Sequence, residues 1–108
     1  MKPILAAGLL LATLGLAPDA TAAPKTLKGK IARYECGDNC YLIITDKAGA
    51  EHTGLCSAPE CDPWNEVAEM PQKFVGRKVT VTIETGQQTD AEGNVMGEMD
   101  AYTTIKFN

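Results

Sequence analysis

Few residues in this chain could do chemistry. The four cysteines are Cys36, Cys40, Cys56 and Cys61. Their two close spacings, Cys-x-x-x-Cys and Cys-x-x-x-x-Cys, are tolerable for a zinc site. No Cys-x-x-Cys is present, which argues against dithiol redox catalysis. His52 is the only histidine and Ser57 the only serine. Ser57 lies beside Cys56, outside any Gly-x-Ser-x-Gly context, so the serine-hydrolase class falls away. Asp90-Ala91-Glu92-Gly93-Asn94 has calcium-loop residue types, but its glycine stands fourth rather than sixth. A hairpin turn explains that stretch better. With no nucleophile–base pair and no phosphate loop, no enzymatic activity and no cofactor are expected.

The compartment decides how the cysteines are read. Lys2 precedes an apolar run from Ile4 to Ala17, followed by Ala20-Thr21-Ala22. A charged start, an apolar stretch and a small-x-small site make a secretory signal peptide. The run is too short to cross a bilayer, which needs roughly 20 residues. Cleavage after Ala22 leaves residues 23–108 as one domain, periplasmic or secreted, with no membrane insertion. Thiols oxidise there, and a small domain often needs such staples. Two disulfides are therefore expected ahead of a metal site.

Lys2 and Asp19 leave together, so the net charge stays at -4. An acidic domain with no Lys/Arg cluster lacks the electrostatic footprint of nucleic-acid binding. It also lacks a polybasic patch for anionic lipid.

The elements that must position these residues are short. Thr26 to Glu35 alternates loosely and reads as a first strand. Tyr41 to Thr45 is β-branched and aromatic, a second. Glu51 to Cys56 is a third, joined to it by Asp46-Lys47-Ala48-Gly49, which suits a type I turn closed by a glycine bulge. Asp62 is placed to cap a helix starting at Pro63, with Trp64, Val67 and Ala68 on one face and Pro71 as its stop. Val79 to Ile83 is a fourth strand and Val95 to Phe107 a fifth, separated by a second Asp-x-x-Gly turn at Asp90.

Three strands, a helix and a two-strand hairpin follow the element order of the OB-fold, a five-stranded barrel. Over nearly its whole mature length, the chain resembles small secreted bacterial OB-fold proteins of unknown function. The resemblance lies in that order and in strands such as Phe74 to Val81. It implies an all-β barrel with one short helix, and no binding residues. The rival architecture is a small open β-sandwich with one helix.

Turn positions then set registers. If Asp46 faces Ala50, Cys40 faces Cys56, and facing residues share a side. This favours Cys40–Cys56 with Cys36–Cys61; the local pairing Cys36–Cys40 with Cys56–Cys61 stays open. Ala32, Tyr34, Leu42 and Ile44 fall on the core side. Tyr41, Ile43, Thr53 and Leu55 point outward, an apolar-aromatic surface suited to ligand contact or a dimer seam. In the last hairpin, Val79, Val81 and Ile83 face Ile105, Thr103 and Ala101 as core. Tyr102 falls on the other face, where Glu84 opposes Asp100 beside Glu98, an acidic group suited to a cation.

The reading is a secreted, disulfide-stabilised, non-enzymatic binding module, monomer or weak dimer, for an envelope peptide, glycan or protein. The competing reading is a periplasmic metal-binding protein using the cysteines or the Glu84/Asp100 pair.

Overall fold

The structure, a computed structural model, describes residues 24–108. The expected leader, residues 1–22, lies outside them. The described chain forms β1 (Lys25–Cys36), β2 (Cys40–Thr45), β3 (Glu51–Cys56), α1 (Cys61–Val67), a 3-10 turn (Gln72–Phe74), β4 (Lys78–Thr89) and β5 (Val95–Phe107). The strands close into a barrel in the order β1-β2-β3-β5-β4. This is the expected OB-like barrel, with its helix between β3 and β4. The only parallel pairing among the described strands is β3 with β5, at Leu55–Ala101 and Cys56–Tyr102.

Both Asp-x-x-Gly turns form. The Asp46 carboxylate accepts from the Ala48 and Ala50 amides at 2.9 and 3.0 Å, and Gly49 takes φ 91°. The Asp90 carboxylate accepts from the Glu92 and Asn94 amides at 2.9 and 2.8 Å. These bonds, led by the one from the Asn94 amide, hold the Asp90 carboxyl below its usual range. Hydrogen bonding to the charged form is the cause.

The core gathers Ile31, Leu42, Ile44, Val79, Val81, Tyr102 and Ile105 inside the barrel. Leu42 and Ile44 point inward as expected. Ala32 does not take the core position: a bulge between Ile31 and Arg33 makes it the extra residue, and Ile31 fills the core instead. α1 plugs one end. Trp64 is buried, edge-on to Tyr34 at 6.0 Å and tilted against Phe74 at 5.0 Å. Phe74 continues the stack to Phe107 at 5.4 Å.

The helix differs from expectation in both its ends. It starts at Cys61, with Glu60 at the N-cap and no side-chain cap, so Asp62 lies in the first turn. It stops at Val67, because Ala68 adopts φ 59° and its amide donates back to the Trp64 carbonyl. Val67, expected on the buried face with Trp64, is exposed.

The last hairpin departs further from expectation. The register from the turn holds at its tip, where Thr89 faces Val95. Met96 and Thr103 then bulge, each moving β5 by one residue against β4, so Val81 faces Ile105 and Ile83 faces Tyr102. A shift of one residue exchanges the faces. Tyr102, expected outside, is thus 1% exposed in the core. Its hydroxyl donates to the His52 carbonyl at 2.8 Å. Burial, with a smaller contribution from Asp100, pushes its pKa up to about 12.

The cysteines form two disulfides, Cys36–Cys40 and Cys56–Cys61. The favoured cross-strand pairing is overturned. Cys40 has two neighbours, because it also faces Cys36 at the end of the β1–β2 ladder, with Cα atoms 4.0 Å apart. The three-residue turn makes that the nearer partner, and Cys61 is brought to Cys56 by its own loop. Two disulfides fit an oxidising compartment, extracellular or periplasmic. Loops this short restrict the unfolded chain by about 2 kcal/mol each. Reduction should therefore lower the melting temperature, with the half-exposed Cys36–Cys40 bond opening before the buried Cys56–Cys61 bond. Mass-resolved alkylation during reductant titration checks the order; simultaneous loss of both bonds contradicts it.

Candidate functional site

The expected contact surface on β2 and β3 is mostly covered. Ile43 and Leu55 do lie opposite the barrel interior, but they are 1% and 7% exposed. β4 and β5 run on as one long arm, and its Gly86–Thr89 stretch reaches Leu55, Tyr41 and Asn39. Gly86 lets it come close: a Cβ there would meet Leu55 Cδ1 at 2.9 Å and Ala101 Cβ at 2.7 Å. Gln88 donates to the Tyr41 hydroxyl at 2.9 Å. Asn39 donates to the Thr89 carbonyl at 2.8 Å and accepts from the Thr89 amide at 3.1 Å. Tyr41 is half-buried by these contacts, and Thr53 alone of the four stays exposed. The open apolar patch expected from alternation does not exist. No sequence signal marks the cover except the length of the Val79–Phe107 hairpin.

The acidic group is also rearranged. The bulge at Thr103 sets Glu84 opposite Ala101, Asp100 opposite Thr85 and Glu98 opposite Gln87. Glu84 instead accepts from the Thr103 hydroxyl at 2.6 Å. The opposed pair Glu84–Asp100 is therefore corrected. Among the described residues, no three His, Cys, Asp or Glu side chains are grouped to hold a metal ion, and no cysteine is free.

What the barrel does bring together is lysine. β1 pairs with β4 so that Lys30 faces Lys78 and Lys28 faces Thr80; β5 continues the second row with Lys106 opposite Thr80. Facing residues, and residues two apart, share one side of a sheet. Val79 and Val81 point inward, so these lysines point out, and all four are exposed. Lys47, on the β2–β3 turn, overhangs them. Lys28, Lys30, Lys47 and Lys78 line a groove of about 540 Å³ that Asp46 and Asn108 also border. Its size is that of small-ligand sites, about 300–1,000 Å³.

Among the described residues none of these lysines has a carboxylate side chain as partner. Among the described residues the ion pairs are Arg33 with Glu35 and Glu51, and His52 with Asp46. Among the described residues Asp46 supplies the only acidic side chain lining the groove, and it is engaged. It contacts His52 Nε2 at 2.7 Å. That bond first, then the Ala50 amide, holds its carboxyl below the usual range. The His–Asp pair ties the β2–β3 turn to β3 at the rim of the groove. Lys30 directly opposite Lys78 is a like-charge pair that costs stability.

The acids lie elsewhere. From Val79 to Ile105 the chain carries Glu84, Asp90, Glu92, Glu98 and Asp100 and no lysine or arginine. α1 and its flanks add Glu60, Asp62, Glu66 and Glu69. A chain of net charge -4 thus has one strongly basic face. Sequence reading missed it because the lysines are scattered singly along the chain. Strand pairing, not proximity in sequence, assembles them.

No family model, curated protein or solved structure matches the chain.

Proposed function

We propose that this domain is an exported, non-enzymatic binding module that holds an anionic partner of the cell envelope on its lysine groove. The observation that carries the reading is the assembly of unpaired lysines around a concave surface in an otherwise acidic domain. Such a face raises the local concentration of anions and speeds their capture. Removal of the leader after Ala22 and residence in the periplasm or outside the cell complete the proposal. The disulfides and the residue pattern before Ala23 support it.

The test is binding of fluorescent polyglutamate and oligogalacturonate, followed by anisotropy at low salt. Both polyanions should bind the oxidised domain. The variant Lys28→Glu/Lys78→Glu should bind at least about tenfold more weakly, since it turns two attractions into repulsions. Lys73→Glu, on the 3-10 turn, should bind as the parent does. If neither polyanion binds, or if the double variant binds as well as the parent, the proposal fails. Equal melting temperatures of the variants exclude misfolding as the cause.

A further inference from the structure

The lysine groove runs beside an open strand edge. β1 changes partners along its length. Lys25 to Lys30 pair with β4, and pairing with β2 begins only at Lys30, opposite Thr45. On its second edge, Lys25 to Lys28 has no strand beside it among the described residues. Gly29 marks the end of that opening. A Cβ at Gly29 would collide with the Thr45 carbonyl oxygen and come within 2.7 Å of Ile44 Cγ2, so here β2 crosses close over β1. Beyond it, the β2–β3 turn leaves the strand free, and the groove occupies that side of Lys28 and Lys30.

An open edge offers backbone donors and acceptors to any extended chain. This one is flanked by lysines, which discourage pairing with a like edge of a second copy. The same lysines favour a strand bearing carboxylates. Side chains on an extended strand repeat on one face about every 6.8 Å, the spacing of Lys28 and Lys30 themselves. A peptide with acidic residues at alternate positions therefore sets its charges beside Lys28, with Lys30 next along the same face, while its backbone pairs with the free edge of β1.

A sugar polymer fits less well. Among the described residues no aromatic ring lines the groove to stack on a pyranose face. Tyr34, Trp64, Phe74 and Phe107 are stacked on one another instead.

We infer that the anionic partner is an acidic peptide segment, bound in extended form as an added strand along Lys25–Lys28. Such strand addition draws affinity from main-chain hydrogen bonds and specificity from alternate side chains. The inference rests on the anion-binding reading above and adds the partner's class and its mode of docking.

The experiment uses the full oxidised domain and a synthetic peptide of about eight residues alternating Glu and Thr, the length of a natural strand. Two further peptides carry N-methyl groups, one on every Glu amide and the other on every Thr amide. Amides of alternate residues in a strand point to opposite edges, so only one set can pair with β1. All three peptides have the same charge. One methylated peptide should bind at least about tenfold more weakly than the parent and the other nearly as well, because several hydrogen bonds are lost together. The parent peptide should also slow hydrogen exchange among the amides of Lys25 to Lys28.

Equal binding by all three peptides overturns strand addition and leaves the anion-binding module standing. Binding of oligogalacturonate with no binding of the parent peptide also overturns it, in favour of a glycan. Failure of every polyanion removes the underlying module as well.

Discussion

Replacing Trp64 by alanine is expected to cost about 3–5 kcal/mol of folding stability, the usual range for a buried aromatic cut to a methyl group. Trp64 is the plug of the barrel. α1 is only seven residues long, too short to hold itself as a helix in water. It stays in place because Trp64 is 5% exposed between Tyr34 and Phe74. The disulfide at Cys61 fixes its first residue, and Asn65 donates to the Cys56 carbonyl at 2.9 Å while accepting from the Tyr34 hydroxyl at 2.6 Å. Removing the indole leaves these ties but empties the space beneath them. A domain this size loses about 4–8 °C of melting temperature per kcal/mol, so thermal unfolding should fall by at least about 12 °C. A shift under about 4 °C would mean that the helix does not seal the barrel.

Gly54→Val should cost about 3 kcal/mol by overpacking. Gly54 sits in β3 beneath the Tyr102 ring, and a Cβ there would lie 2.7 Å from Tyr102 Cζ and 2.8 Å from two further ring carbons. The ring cannot retreat easily, because Tyr102 is the largest fully buried side chain and its hydroxyl is tied to the His52 carbonyl. Denaturant unfolding measures the loss. The companion change Tyr102→Phe keeps the ring and removes only the hydroxyl; it should cost about 1 kcal/mol. If Gly54→Val is as stable as the parent, Tyr102 does not occupy the core beside β3. The outward position inferred from simple alternation would then be restored.

That alternation explains what could be read from the chain and what could not. Asp46 and Asp90 mark their turns because an aspartate followed three residues later by glycine satisfies a tight bend by itself. The strand order and the place of the helix follow from those marks. Bulges carry no such mark. Ala32, Met96 and Thr103 look like ordinary strand residues, yet each displaces the pairing by one. Tyr102 moved inside and Glu84 lost Asp100 for that reason. The cover over Ile43 and Leu55 was illegible for a different reason. Both residues do face away from the barrel interior, but the arm that reaches Leu55 comes from Gly86, far along the chain. The lysine groove is assembled by contacts far apart in sequence, such as Lys30 with Lys78 and Thr80 with Lys106. Composition records an acidic chain and hides its basic face.

In the proposed function the partner docks on this face, and not on the β2–β3 surface or the acidic arm. The most direct measurement is an amide chemical-shift titration of the oxidised domain with hexaglutamate. It is run at about 50 mM and again at about 500 mM salt, where screening shrinks the reach of exposed charges. Saturable shifts centred on Lys28, Lys30, Lys47, Lys78 and Lys106 are expected at low salt, with affinity at least about tenfold weaker at high salt. Shifts centred on Tyr41 and Thr53 or on the Glu84–Asp100 arm, or no shifts at low salt, would contradict it.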